Sequence, residues 1–569
     1  MLPRFALLLL FLLSASPCFS APSLIDPNLQ VTEIVSGLSS PTTMAFIGRD
    51  DILVLQKDDG RVRRVINGVL QSGEVLDVAV DFAGEGGLLG IAIHPDFPTT
   101  PFVYLYYTES STGSDVFSSA VGNRVYRFVW DGTALINPTL ILNLPSSGGH
   151  NGGVITFGPD GKLYVIIGDL GQNGQLQNVS TGNPPDDTSV ILRLNDDGTV
   201  PINNPFFSLG DPVNKYYAYG IRNSFGIAFD PVTGKLWDTE NGPNVYDEIN
   251  LIEPGFNSGW EKIMGPDSRD PDNLSDLFSL AGSHYADPKF SWQNPIGVTA
   301  IVFFESPQLG PQYENDVFVG NVNNDILYRF QPNALRNGFK FSTPGLSDLV
   351  VDNGDNFDEI VFGTGFSYIT DLKVGPDGFL YVLSLLEGKI YRISSAVPFF
   401  INASSLPDGE VEVNYSADLE ILGGTPPYTV ARVNGRPVWL TTVSSDSIAG
   451  MPTRSDKFFF TLQVTDQVGT TVRKRFDITV RKPLRIVNQR LKTGRVNQNY
   501  RAELNAVRGK KPFTWSLISG ALPNGLQLDQ SMGIISGVPT AAISSGLTVE
   551  VTDPLGGSDQ KTLTLTINP

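Results

Sequence analysis

One phrase recurs along the first two-thirds of the chain and limits its fold more than any other feature. It reads MAFIGRDDILVLQ from Met44, IAIHPDFPTTPFVYLYYT from Ile91, ITFGPDGKLYVIIGD from Ile155, IAFDPVTGKLWDTE from Ile227, IVFFESPQLGPQYENDVFVGN from Ile301 and LKVGPDGFLYVLS from Leu372. In each, apolar residues alternate into a Pro/Asp/Gly turn and a second alternating run leaves it, the signature of a β-hairpin. A companion phrase follows each one: GRVRRV at Gly60, NRVYRF at Asn123, SVILRL at Ser189, DEINLI at Asp247, DILYRF at Asp325 and GKIYRI at Gly388.

Six such pairs, most of them about 65 to 75 residues apart, predict six four-stranded sheets. A helical solenoid would lack the alternation, and a β-sandwich would lack the period. Sheets repeated radially leave only short edges exposed. The predicted fold class is therefore all-β, with a six-bladed β-propeller over residues 21–396.

From about Val397 the phrase disappears and two other segments match each other. VNYSADLEILGGTPPYTV pairs with QNYRAELNAVRGKKPFTW, IAGMPT with ISGVPT, and VTDQVGTT with VTDPLGGS. Each contains several short alternating runs and ends in one, as a small Ig-like β-sandwich does. Two sandwiches are predicted, over 397–482 and 483–569. The second carries ALPNGLQLDQSMGIISGVPT, which resembles immunoglobulin- or cadherin-like repeats of bacterial and archaeal surface proteins. Modules of that kind space or attach, so a cell-surface or matrix partner is expected for them.

The N-terminus, MLPRFALLLLFLLSASPCFSAPS, places one arginine before an apolar run too short to span a bilayer. Cys18 and Ser20 stand at −3 and −1 of a cut before Ala21, so residues 1–20 read as a secretory signal. Removing it removes the one cysteine, and with it any thiol nucleophile or thiolate metal site. No later run is long and apolar enough to cross a membrane. The expected location is extracellular or at the cell surface, or periplasmic in a Gram-negative host. With 40 Lys+Arg against 59 Asp+Glu and a net charge of −19, the chain lacks the clustered cations that a nucleic-acid backbone requires. Such an excess of carboxylates suits solubility and calcium binding.

The loops between the blades form an ordered series: GGLLGIAIHPDF (86–97), HNGGVITFGPDGKLYVIIGD (150–169), YGIRNSFGIAFDP (219–231) and ENGPNVYDEINLIEPGFNSGW (240–260). Together these resemble the soluble glucose/sorbosone dehydrogenase family, over roughly residues 28–395. The resemblance implies a six-bladed propeller that oxidises an aldose or related sugar alcohol with pyrroloquinoline quinone (PQQ) and calcium.

Taking a proton from a sugar hydroxyl while hydride leaves calls for a base that titrates near neutrality, and histidine is the natural residue. The chain has three histidines. The resemblance assigns the role to His150, whose flanking glycines allow close approach of a flat ring system. His94 shares its phrase with blade structure, and His284 lies in a polar loop. Arg222 and Asn223 of YGIRN fall beside the quinone, where an arginine would stabilise the oxyanion formed as hydride arrives. The main-chain carbonyls of Gly242 and Pro243 fall at the cofactor's calcium. Asp247 and Glu248 support that loop, with Glu248 at a second, structural calcium; oxygen ligands of this kind suit Ca²⁺.

At four positions the chain departs from the family pattern. Asn323 replaces a cofactor-binding lysine, Tyr368 and Thr370 replace two arginines, and Glu85 replaces a glutamine. The retained motifs favour a dehydrogenase. The replacements favour the alternative, a non-catalytic extracellular propeller that binds glycan or protein.

Overall fold

The computed structural model describes residues 21–396, 399–424, 426–435, 438–442, 446–467 and 469–569. The predicted secretory signal, residues 1–20, lies outside them. The chain divides into two compact units, Met1–Ala396 and Val397–Pro569.

In the first unit the described residues form six sheets, and each hairpin phrase supplies the first two strands of one. The first sheet runs Pro41–Gly48, Asp51–Gln56, Arg61–Ile66, Val69–Asp77, and the second Leu88–Ile93, Phe102–Ser110, Ala120–Trp130, Leu135–Leu144. The remaining four start at Ile155–Phe157, Ser224–Phe229, Val298–Phe303 and Ile369–Val374. Four sheets gain strands that the repeat does not announce, the third through Phe256–Asn257 and His284–Tyr285. Ser23–Leu24 joins the fifth, Val350–Val351 the fourth, and the long Leu29–Val35 completes the sixth, antiparallel to Lys389–Ser395 with Leu29 opposite Ser395.

Alternation explains where the core lies. Successive side chains leave a strand on opposite faces, so each strand serves the sheet before it and the sheet after it. In Leu163–Ile167 the residues Leu163, Val165 and Ile167 pack toward the second sheet, while Tyr164 and Ile166 pack toward the fourth. In Val317–Asn321 the residues Val317 and Val319 face the fourth sheet and Phe318 faces the sixth. The fully apolar burial of these short strands is what a two-faced layer demands.

Each sheet's first strand packs against the first strand of the next, and the sixth packs against the first. A polar contact fastens every neighbouring pair. Thr42 Oγ1 donates to Leu88 O (2.9 Å), Tyr106 Oη to Asn151 O (2.8 Å), and Asp169 N to Arg222 O (2.8 Å). Thr239 Oγ1 donates to Thr299 O, Thr299 Oγ1 to Ile369 O (2.5 Å), and Thr370 Oγ1 to Pro41 O (3.0 Å). Glycine is required where these strands approach: a Cβ at Gly90 would lie 2.0 Å from Gly153 O, and one at Gly226 would lie 2.1 Å from Thr299 O.

The second unit repeats one design. Its first module pairs Gly409–Glu410, Thr471–Arg481, Asp456–Thr465 and Thr429–Gly435 in that order, opposite Tyr415–Asp418, Ser447–Gly450 and Leu440–Thr442. The second repeats the order with Gly494–Arg495, Ser558–Asn568, Ile543–Thr552 and Thr514–Ser519, opposite Tyr500–Glu503, Ile534–Gly537 and Leu526–Asp529. Each has its own apolar core, around Phe460 and Ile478 in one and Trp515 and Leu565 in the other. Between the modules, buried Glu410 accepts the Leu484 N–H (2.7 Å) and meets Gly557 of the second module. Burial, with Asp553 beside it, pushes the Glu410 carboxyl up to about 7.

Candidate active site

The loop 146–154 leaves the second sheet and enters the third, with His150 at its turn in the left-handed region (φ 58°). Side chains rarely adopt that conformation outside glycine and asparagine, and here a hydrogen bond holds it: the His150 N–H donates to Glu85 Oε2 at 2.5 Å. Gly148 and Gly149 have open space where a side chain would stand, so one flank of the histidine is bare.

The imidazole is not free to turn. Its Nδ1 lies 2.5 Å from Asp169 Oδ1, and Asp169 is almost fully buried. Asp169 also accepts the Gly171 N–H on Oδ1 (2.7 Å) and the Trp260 indole N–H on Oδ2 (2.7 Å). An ionised carboxylate only accepts, so the contact calls for a hydrogen on Nδ1 and leaves Nε2 as the ring nitrogen outside the pair. A carboxylate held on Nδ1 orients the ring and, in a neutral imidazole, makes Nε2 the basic nitrogen.

Arg222 and Asn223 come from the turn that enters the fourth sheet. Arg222 Nη1 donates to the carbonyls of Asn241 (2.9 Å) and Gly242 (3.0 Å), and its guanidinium carbon lies 5.2 Å from the centre of the Trp260 ring. Asn223 Nδ2 donates to Glu85 Oε1 at 3.2 Å. Arg222 Nε and Asn223 Oδ1 are buried without a hydrogen-bond partner. Buried polar atoms are ordinarily satisfied, so these two mark where a polar ligand group fits. Glu85 thus joins the histidine loop to the arginine loop.

Beneath Arg222 lies a group of buried acids. Glu240 accepts the Arg222 N–H (2.7 Å) and the Ser258 hydroxyl (2.6 Å), and burial pushes its carboxyl up to about 7. Asp238 and Glu248 project from the same face of the hairpin, two residues along and directly across. Burial and the neighbouring Glu240 hold both well above the usual carboxylate range.

Gly242 and exposed Pro243 lie together in the loop between Leu236–Glu240 and Asp247–Ile252. Asp247 holds that loop in place: Oδ1 accepts the Gly242 N–H (3.0 Å), and Oδ2 accepts the N–H groups of Ile296 (2.7 Å), Gly297 (2.7 Å) and Val298 (3.3 Å). Glu248 accepts the Gly265 N–H (2.6 Å) and the Asn250 amide (3.1 Å). Among the described residues no group of three or more His, Cys, Asp and Glu side chains is arranged to hold a metal. Calcium there would depend on main-chain carbonyls, and the Gly242 carbonyl already accepts from Arg222.

A cavity of 240 Å³ lies among the first strands of the six sheets, walled by Thr42, Gly90, Ile155, Gly226, Thr299 and Thr370, with Glu85 and Asn241 also on its lining. Thr370 reaches that wall; Asn323 lies against Gly297, another wall residue. Tyr368 is 39% exposed. His94 is packed against Phe102 and Phe157, and His284 sits on an exposed strand beside Phe256, so neither joins the site.

Asp169, Trp260, Glu240 and Asp238 are residues of the site and the acids beneath it that motif reading alone did not single out. Asp169 becomes visible only through the hairpin register, which pairs Ile155 with Val165 and, extended, sets residue 169 opposite 151, next to His150. Trp260 had no signal beyond its place at the end of the GFNSGW run.

A family model described as Glucose / Sorbosone dehydrogenase matches residues 38–392, and one described as "Putative Ig domain" matches residues 483–568. The aldose sugar dehydrogenase YliI of Escherichia coli K12 is 28% identical over 391 residues, 67% of this chain and 95% of that protein. The quinoprotein glucose dehydrogenase B of Acinetobacter calcoaceticus is 34% identical over 263 residues, 42% of this chain and 53% of its own length. A crystal structure of a glucose dehydrogenase superposes with a TM-score of 0.51 at 25% identity, covering 64% of this chain and all of that one (100%).

Proposed function

Because the chain belongs to the glucose/sorbosone dehydrogenase family, we propose that it is an exported oxidoreductase that oxidises an aldose or related sugar alcohol, with His150 as the base. Its catalytic unit is a six-bladed propeller over residues 21–396, a reading supported by six sheets whose first strands pack in succession from the sixth back to the first. Two Ig-like sandwiches over 397–482 and 483–569 attach or space it at a surface.

The observation that carries the reading is the His150–Asp169 pair at 2.5 Å, in a loop whose Gly148 and Gly149 have open space around them. His150 Nε2 takes the proton of the sugar hydroxyl while the carbon-bound hydrogen leaves as hydride to a two-electron acceptor. Asp169 holds the ring and stabilises the imidazolium that forms. Arg222 and Asn223 present one unpaired donor and one unpaired acceptor to whatever group is held beside the base.

The family implies PQQ with calcium as that group; Arg222, Asn223 and the Gly242 and Pro243 carbonyls are the residues that would hold its quinone end and the calcium. The tricarboxylate fits the residues present poorly: the cavity lysines Lys57 and Lys373 are each already paired, with Asp58 and Asp371. Asn323, Tyr368 and Thr370 bring no charge, and Glu85 adds a carboxylate that binds His150 and Asn223. Charged hydrogen bonds contribute about 1.5–3 kcal/mol each, so three missing cations weaken binding by roughly 4–9 kcal/mol. That misfit favours a second reading, a propeller that binds glycan or protein without turnover.

One assay separates the two: PQQ titrated into the purified protein in Ca²⁺ and in EDTA, followed by dye-linked oxidation across an aldose panel. Turnover that falls by about 10²–10⁴ in folded His150→Ala supports the dehydrogenase. No PQQ binding and no oxidation of any sugar by the wild type would sink it and leave the binding propeller.

A further inference from the structure

Trp260 touches both charged groups of the site. Its indole N–H donates to Asp169 Oδ2 at 2.7 Å, and its ring face lies 5.2 Å from the Arg222 guanidinium carbon. We infer that Trp260 is a positioning residue that keeps the Asp169 carboxylate on His150 and off Arg222. The inference deepens the proposed function and rests on its assignment of His150 as the base.

A carboxylate and a guanidinium left within reach form a two-pronged ion pair, the geometry both groups favour. Asp169 and Arg222 are already joined through their backbones, Asp169 N to Arg222 O at 2.8 Å. Such a pair would withdraw Asp169 from His150 Nδ1 and Arg222 Nη1 from the Gly242 carbonyl. Trp260 satisfies each partner separately. Its N–H takes the carboxylate oxygen that His150 leaves free, and its π-face takes the cation.

Trp260 is itself well fixed. Its backbone N–H donates to Gly220 O (3.2 Å), its carbonyl accepts the Asn178 amide (2.7 Å), and its ring packs on the Tyr246–Met264 cluster.

The test is proton NMR of the full-length protein without added cofactor, the His150 Nδ1–H signal being assigned as the one missing from His150→Gln. Wild type should show that signal far downfield, slowed in exchange by Asp169. Trp260→Phe keeps a ring and removes the donor, with Trp260→Met as a second donorless form should the first not fold. Either should lose the signal through exchange at least tenfold faster, and adding Arg222→Gln to the same variant should restore it. Restoration is the outcome that loosened packing alone would not produce. A signal that survives in the donorless variants, or stays lost in the double variant, overturns the inference. A wild type that lacks the signal sinks the His150 base reading along with it. If the signals behave as expected in a protein that oxidises no sugar, Trp260 keeps its role and the proposed activity alone fails.

Discussion

Glu410 and His150 illustrate how one residue's surroundings decide its chemistry. Glu410 is 2% exposed, and its second carboxylate oxygen is buried without a hydrogen-bond partner. With its carboxyl raised from the ordinary 4.5 to about 7 by burial and by Asp553, its contribution to stability is complete below pH 4.5. That contribution fades as the pH climbs through 7, because the folded state holds a proton that the unfolded chain releases. Glu410→Gln keeps the acceptor for Leu484 N–H and removes the titration. Melting curves of the second unit should match wild type near pH 4 and exceed it by about 3 °C at pH 8; an unchanged curve at pH 8 would show that the acid is not strained there. The glycine pairs around His150 draw the eye in the sequence, but a histidine there can simply cap a turn, and only the ordered series of motifs gives it a role. Asp169 is hidden, since an aspartate closing a strand reads as an ordinary turn residue until the register of its hairpin is known. Asp247 reads with Glu248 as loop support and metal ligation; four backbone N–H groups account for its oxygens.

At the level of elements, the close approach of neighbouring first strands depends on residues with no side chain. Gly226 is not in a left-handed conformation, so it is contact that forbids alanine there: the added methyl would stand 2.1 Å from the Thr299 carbonyl oxygen. Gly226→Ala should destabilise the first unit by about 1–3 kcal/mol, as overpacking does. Gly73→Ala, on an outer strand with open space around it, is the matching control. Equal denaturant midpoints for the two variants would mean that the first strands part without cost. The hairpins are readable because alternation survives in any strand buried on both faces. Ser23–Leu24 and Val350–Val351 are not, because two residues carry no period and their partners lie hundreds or dozens of positions away.

Across the whole molecule, the two compact units have separate cores. A fragment ending at Ser395 should therefore unfold cooperatively with the same transition as the first unit in the full chain, checked by calorimetry. A fragment without a transition would mean that the second unit contributes to the first unit's stability. The strand that ends the fragment also ties its two ends together, Lys389–Ser395 pairing with Leu29–Val35. During synthesis, Leu29–Val35 is made some 360 residues before its partner strand. Until then it is an open strand edge, the kind of surface on which chains stick to one another. Closing the sixth sheet is thus the step most exposed to misassociation, and mutations in Leu29–Val35 should lower the yield of folded protein more than they lower the stability of protein already folded.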